Sequence, residues 1–268
     1  MPARPQDAAI FHALHDDFLI LPNAWDAVSA KLLELAGAGA IATSSAAVAW
    51  AHGHADGHDL PIAKLVSTVE EIARVVSVPI SVDAEAGYAD DPKQVGENIA
   101  ALIGAGAVGI NLEDGREPHE LHLRKIGAAR EAAIRSGVDL YINARTDVYL
   151  KQLVLAEQAA TETIRRGRAC KVAGASGLFA PFAIKAEEIG AIAEAVEMPL
   201  NVISWVGVPK AADLKRLGAR RLSAGTKIAS AALRAAREAA AEFLADGDSE
   251  TLAARAGDSV NYNAMFKG

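Results

Sequence analysis

Short apolar runs alternate with longer amphipathic, alanine-rich stretches along this chain, and the alternation repeats eight times. The runs predict strands over Phe18–Asn23, Ala40–Ser44, Ile80–Glu85, Gly109–Glu113, Leu140–Arg145, Gly177–Pro181, Leu200–Ser204 and Arg221–Ala224. The stretches predict helices over Pro61–Val76, Pro92–Ala105, Leu123–Ser136, Ala156–Ala173, Ala186–Val196 and Pro209–Leu217. Proline at a first helical position marks starts at Pro92 and Pro209, where its missing N–H costs nothing. Glycine marks ends at Gly104-Ala-Gly106, Gly137, Gly174 and Gly218, as left-handed helix caps require. Strands alternating with helices of this length imply a parallel sheet covered by helices. Eight such units in about 250 residues match a closed (β/α)8 TIM barrel. A doubly wound open sheet is the alternative, but no Gly-x-Gly-x-x-Gly follows the first strand.

The chain reads as one barrel domain over 1–268, with a helical extension from about residue 226. Its last long helix, Thr226 to Ala245, carries small residues on nearly every face, which suits close packing on its own barrel or on a neighbour's. A short helix (Glu250–Ala256) and a tail with Tyr262, Met265 and Phe266 follow. That tail is expected to pack on its own body or on a partner subunit.

Composition narrows the partners. The 268 residues are 51% hydrophobic and 23% charged, with a net charge of −7 and no basic block. This argues against nucleic acid and against an anionic membrane surface. No apolar run is long enough to span a bilayer. The first residues lack the apolar core and cleavage site of a signal peptide. Cys170 is the single cysteine, so no internal disulfide forms, and a cytoplasmic location is expected. Cys170 itself reads as a small buried hydrophobe.

Candidate chemistry gathers at the C-terminal strand ends, the working face of such a barrel. Ser81-Val-Asp-Ala-Glu-Ala-Gly-Tyr88 is an apolar run with carboxylates at alternate positions before a glycine turn. Residues two apart on a strand face one way, so Asp83 and Glu85 are expected on one face, opposite Glu113 of the next strand. Clustered carboxylates repel unless a hard cation sits among them, and Mg²⁺ takes one or two carboxylates while keeping waters for substrate oxygens. Asn143 and Arg145 share a parity, and an arginine there is a fork for a carboxylate or phosphonate. Asn23, Trp25 and Asp26 end the first strand. Ser44-Ser45-Ala46-Ala47 could present backbone N–H groups to an anion, and Ser223-Ala-Gly225-Thr226 could hold a phosphate. The stretch Val48–Leu60 reads as a long lid-like loop. Its His52, His54 and His58 have no standard zinc spacing, so a solvated loop is expected. His119 and His122 could serve as acid–base groups, though a surface position is expected for both.

These motifs resemble the isocitrate lyase/phosphoenolpyruvate mutase superfamily over most of the chain. The matching elements are Leu21-Pro-Asn-Ala-Trp-Asp26, Thr43-Ser-Ser45, Gly53-His-Ala-Asp56, Val82-Asp-Ala-Glu-Ala-Gly-Tyr88, Asn111-Leu-Glu-Asp114 and Asn143-Ala-Arg-Thr-Asp147. The resemblance implies a Mg²⁺-dependent (or Mn²⁺-dependent) barrel enzyme acting on small 2-oxo acids or dicarboxylates. It implies that Asp83 contacts the metal, while Glu85, Glu113 and Asp56 hold the metal's water shell. It maps Ser44, Ser45 and Ala46 to a substrate carboxylate and Arg145 to the arginine of the family's fifth strand. It also implies a homo-oligomer, dimer or tetramer, with the last helix exchanged between subunits. Two departures matter. Glu113-Asp-Gly-Arg-Glu-Pro-His119 lacks the Lys-Lys-Cys-Gly-His loop of isocitrate lyases, and Gly115 replaces the lysine of the phosphonopyruvate enzymes.

The resulting expectation is a lyase or decarboxylase that cleaves a C–C bond through a metal-stabilised enolate. Asp56, Glu113 and Arg145 are its expected catalytic groups, and Trp25 and Asn143 join the substrate-binding set. Tyr88, His119 and a metal-bound hydroxide are candidates for a base. The alternatives are a P–C bond enzyme (phosphonopyruvate hydrolase or phosphonomutase) and a non-catalytic 2-oxo acid binder.

Overall fold

The computed structural model describes residues 2–257 and 261–266. Its strands are β1 (Leu19–Leu21), β2 (Asn23–Ala24), β3 (Ile41–Thr43), β4 (Ile80–Asp83), β5 (Gly109–Glu113), β6 (Tyr141–Arg145), β7 (Gly177–Phe179), β8 (Leu200–Ile203) and β9 (Arg221–Ser223). All pair in parallel, in the order β1-β9-β8-β7-β6-β5-β4-β3-β2. β1 and β2 are one strand interrupted at Pro22, which has no N–H to donate. Its lower piece pairs with β9 and its upper piece with β3. That split brings the two ends of the sheet together, and the architecture is a (β/α)8 TIM barrel.

Alternation along the strands sorts the two faces. Val82, Ile110, Leu112, Ile142 and Ala144 belong to the main apolar core with Ile99, Leu102, Ile126 and Ala129 of the covering helices. Residues of the other parity are polar: Ser81 and Asp83 on β4, Asn111 on β5, Asn143 on β6, Asn201 on β8, Arg221 and Ser223 on β9, all buried. Period-2 alternation therefore gives an oily outer face and a polar interior. Helix Pro5–Ala13, which the apolar pattern did not predict, packs Phe11 into the lower end. A Cβ on Gly109 would stand 2.6 Å from the Phe11 ring, so only glycine admits that ring.

The predicted helices are present with shifts of a few residues at their ends: Ile62–Val75, Pro92–Ala105, His119–Ser136, Ala159–Val172, Ala186–Val196, Ala211–Arg216 and Lys227–Asp246. Three others were not predicted, Ala27–Leu35, Ser45–Ala51 and the short Tyr262–Met265. The second is a correction: the supposed serine turn and the first part of the supposed loop after it are a helix capped by Ser44. In Lys227–Asp246 only Ala229 is buried, and Leu233, Phe243 and Leu244 stand exposed. The tail is exposed at Tyr262 and Phe266 and half-buried at Met265. Lys267 and Gly268 lie outside the described residues. No described helix is long and apolar enough to cross a membrane.

Candidate active site

A cavity of about 260 Å³ opens at the C-terminal ends of the strands. Asp83, Asn111 and Arg145 form one wall, and Phe179, Pro181, Phe182, Ile203 and Trp205 form the other. Ser44, Ser45 and Ala46 enter from the helix start, Asp56 from the loop beyond it, and Asn23, Ser223, Gly225 and Thr226 close the ring.

Register places the polar wall. Asp83 is opposite Asn111, Asn111 is opposite Asn143, and Glu113 is opposite Arg145. Arg145 bonds Glu113 Oε2 through Nη1 at 2.7 Å and Asp147 through Nε and Nη2 at 2.7 and 3.1 Å. Burial works against the Arg145 charge, but Glu113 and Asp147 hold its pKa above the ordinary value. Burial pushes the Glu113 carboxyl up to about 8, Arg145 pulls it down, and Asp147, Asp83 and Glu85 push it up further. The Glu85 carboxyl is raised as well, first by burial and with Asp83 adding to it.

Asp83 and Glu85 do not lie on one strand face as expected. β4 ends at Asp83, and Glu85 takes a left-handed φ of 46° within the turn that Gly87 completes. In that turn Glu85 Oε2 accepts the His58 N–H at 2.6 Å and Oε1 accepts the Tyr88 hydroxyl at 2.9 Å. The Glu85 carbonyl accepts the Glu113 N–H at 2.8 Å. The backbone of Glu85 thus rests against that of Glu113. Neither side chain, however, lines the cavity as Asp83 and Asp56 do. Among the described residues, the carboxylate oxygens of Asp83, Glu85 and Glu113 do not close on one another as the sequence led one to expect.

The donor set suits a hard cation. Asp83 Oδ2 accepts the Ser45 N–H at 3.3 Å, while Asp83 Oδ1 is buried with no hydrogen-bond partner among the described residues. A buried carboxylate oxygen is normally hydrogen-bonded or coordinated. Oxygen donors from Asp83, Glu85, Glu113 and Asp56 are the ligand chemistry of Mg²⁺ or Mn²⁺. The residues present fit the ion.

Several expected site residues lie elsewhere. Trp25 does not reach the cavity. Asp26 caps helix Ala27–Leu35 through a capping box with Ser29, and Trp25 packs against the main core instead. Asn143 lies beneath the floor, donating from Nδ2 to Asn111 Oδ1 at 2.9 Å, and Asn111 is the one exposed to the cavity. Ser45 spends its N–H on Asp83, and the Ala47 N–H reaches Ser44 Oγ at 3.5 Å. That leaves the Ala46 N–H at this helix N-terminus without a partner among the described residues. His119 and His122 are buried rather than on the surface, and neither lines the cavity. Burial depresses the pKa of both, that of His119 to about 4. Tyr88 is a donor to Glu85, and burial and then Glu85 raise its phenol, which does not suit it to act as a base. The loop histidines are separate: His52 bonds Thr68, His54 meets Asp59, and His58 approaches Glu85.

Sequence reasoning also missed a supporting network. Asp114, fully buried, accepts from Thr146 Oγ1 at 2.7 Å, the Asp147 N–H at 2.8 Å and Arg166 Nη1 at 2.7 Å. Lys125, equally buried, bonds both Glu117 oxygens at 2.8 Å and the Ala86 carbonyl at 3.0 Å. These ties hold Asp147, and so Arg145, and the turn that carries Glu85. Within this network Asp114 carried a signal as the acid after Glu113, and Thr146 and Asp147 as the end of Asn143-Ala-Arg-Thr-Asp147; Lys125, Glu117 and Arg166 carried none. The apolar wall carried none beyond the strand-end position of Pro181, which closes the predicted run Gly177–Pro181.

Residues 11–244 match the model of the phosphoenolpyruvate phosphomutase family. The chain belongs to that family. The comparisons place it in the phosphoenolpyruvate mutase/isocitrate lyase superfamily. A Burkholderia cenocepacia J2315 structure assigned as a phosphonomutase superposes with a TM-score of 0.83 at 39% identity, covering 87% of this chain and 98% of its own. An oxaloacetate decarboxylase of Paraburkholderia xenovorans (strain LB400) is 32% identical over 82% of this chain and 76% of its own length. A phosphonopyruvate hydrolase crystallised with oxalate and Mg²⁺ gives a TM-score of 0.85 at 26% identity, covering 98% of this chain and 95% of its own.

Proposed function

We propose that this chain is a divalent-metal-dependent lyase that cleaves a C–C bond of a small 2-oxo or 2-hydroxy di- or tricarboxylate, with decarboxylation of an oxaloacetate-like acid as its simplest form. The observation that carries this reading is Asp83 Oδ1, buried, without a hydrogen-bond partner among the described residues, and part of a residue that lines the same cavity as Ala46 and Arg145. Mg²⁺ held by Asp83, with Glu85, Glu113 and Asp56 about its waters, would supply Lewis-acid stabilisation of the negative charge that develops on a 2-oxo oxygen. The Ala46 N–H, at the positive end of helix Ser45–Ala51, binds one substrate carboxylate. Arg145 presents its guanidinium to the other, held in place by Glu113 and Asp147. Phe179, Phe182 and Trp205 exclude water, which strengthens every charge interaction in the cavity. Decarboxylation needs no base. That agrees with a site in which neither His119 nor Tyr88 is placed to act as one. The short turn Asp114–Pro118 leads directly into helix His119–Ser136 and leaves no room for a cysteine-bearing loop. Exchange of helix Lys227–Asp246 with a second copy belongs to the same reading, supported by its exposed Leu233, Phe243 and Leu244.

The likeness to an assigned phosphonomutase favours one second reading, P–C bond chemistry at the same site. The test is a panel of oxaloacetate, 2-methylisocitrate, 2,3-dimethylmalate and phosphonopyruvate, each with Mg²⁺ and with a chelator. The expected result is chelator-sensitive formation of a C–C cleavage product from one of the carboxylates. Release of phosphate from phosphonopyruvate alone would establish the second reading instead. Mg²⁺-dependent thermal stabilisation by oxalate, with no member of the panel consumed, would mark a binder.

A further inference from the structure

Three donor side chains that the cavity does not use meet where helix His119–Ser136 packs beside helix Ala159–Val172. His119, His122 and Cys170 are exposed by only 6%, 0% and 0%, and their ligand atoms all lie within 4.8 Å of one another. His122 Nε2 bonds the Leu112 carbonyl at 3.0 Å, so Nε2 carries the proton and Nδ1 presents a lone pair. That Nδ1 stands 3.9 Å from Cys170 Sγ. His119 is the unusual member, because both of its ring nitrogens are buried with no hydrogen-bond partner among the described residues. Buried polar atoms are almost always satisfied by protein, water or an ion.

We propose that His119, His122 and Cys170 form a binding site for a borderline-soft transition ion, Zn²⁺ in chemical class, separate from the carboxylate site and independent of the proposed reaction. Two imidazoles and a thiolate are donors that zinc prefers and Mg²⁺ does not. Tetrahedral zinc with ordinary Zn–N and Zn–S bonds holds its nitrogen and sulfur ligands roughly 3.5 Å apart, close to the separation of His122 and Cys170. His122 already has the second partner on its other nitrogen that metal-bound imidazoles need to fix their tautomer. The neighbouring cation does not forbid the ion: Arg166 is committed to Asp114 at 2.7 Å and to Glu162 at 2.6 Å. Binding would release the thiol proton of Cys170 to solvent as the ion enters. The ion would then join the start of helix His119–Ser136 to helix Ala159–Val172, beside the Asp114–Arg166 pair that ties the turn after β5 to the same second helix.

The test uses the whole purified chain, stripped with a chelator and incubated warm with Co²⁺ so that a buried site can exchange. The expected result is a thiolate-to-cobalt charge-transfer absorption that saturates at one equivalent and disappears when one equivalent of Zn²⁺ is added. It should be absent in Cys170→Ser, at least tenfold weaker in His119→Asn, and retained in Asp83→Ala, which separates it from the carboxylate site. Zn²⁺ should raise the melting temperature of the wild type by more than that of Cys170→Ser. If the folded wild type, checked by circular dichroism, gives no thiolate band, the proposal is overturned. A thiolate band of undiminished strength in His119→Asn overturns it as well, because Cys170, the single cysteine, would then hold the ion without that imidazole. Should His119→Asn fail to fold, His122→Gln, measured in the same way, decides the matter: the band should weaken at least tenfold, and an unchanged band overturns the proposal.

Discussion

The two walls of the cavity are built from equivalent strand ends, yet they share almost no chemistry. On the β3–β6 side stand Ser44, Ser45, Asp83, Asn111 and Arg145, and on the β7–β8 side Phe179, Pro181, Phe182, Ile203 and Trp205. The polar wall is held by ion pairs that reach into the surrounding helices, such as Asp114 with Arg166. The apolar wall is held by aromatic packing, with the Phe182 and Trp205 rings 4.8 Å apart and Lys227 over Trp205. The contrast divides the labour. One wall places charge, and the other lowers the local dielectric so that the placed charge acts strongly.

Removing the charge at its centre should have the largest effect. Asp83→Ala is expected to lower kcat/KM by at least ~10³-fold, the scale of losing a Lewis-acid site. Its metal-free melting temperature should not fall, because one of several mutually repelling buried carboxylates is gone. Circular dichroism and thermal melts beside the kinetics separate the two effects. Arg145→Ala should follow, at roughly 10²-fold in kcat/KM. Here stability falls too, since Glu113 and Asp147 lose their partner. Arg145→Lys should recover only part of the rate, because a point charge does not replace the fork.

A pH series examines the same wall. Glu113 is raised to about 8 by burial, against the pull of Arg145 and with the help of Asp147, Asp83 and Glu85. An acid raised on folding keeps its proton in the native state. Its contribution to stability is full below the ordinary carboxyl value and is lost as pH rises toward about 8. The metal-free melting temperature should therefore decline over that window. The stabilisation by Mg²⁺ should grow over the same window, as the ion finds more ionised oxygens. The smallest effect belongs to the apolar wall: Trp205→Ala should raise KM roughly fivefold with kcat within about twofold, the pattern of lost uniform binding.

The same contrast explains what the sequence could tell. The barrel was legible because eight short apolar runs alternate with amphipathic helical stretches, the order that a parallel, helix-covered sheet requires. Helix Pro5–Ala13 was not, since its apolar residues are not sorted to one face; its place comes from the space that Gly109 leaves for Phe11. Asp83, Glu113 and Arg145 were legible as strand-end ionisable residues, and the register Glu113↔Arg145 brings two of them together. Trp25 was misread because Asp26 starts a helix there and turns the ring into the core. Asn111 was hidden behind Asn143, which differs from it only in how deep its position lies. The Asp114–Arg166 pair and the approach of Cys170 to His122 join residues 52 and 48 positions apart. No local pattern announces such pairs, because they arise from which helices the barrel sets side by side.

The central claim is that Asp83 anchors one divalent ion beside a cradle for a keto-acid. A titration of Mn²⁺ followed by electron paramagnetic resonance, with and without oxalate, addresses it most directly. The wild type should bind one Mn²⁺ per chain, with oxalate tightening it at least tenfold, and Asp83→Ala should lose that site while remaining folded. Equal Mn²⁺ affinity in the two proteins, unmoved by oxalate, would contradict the account.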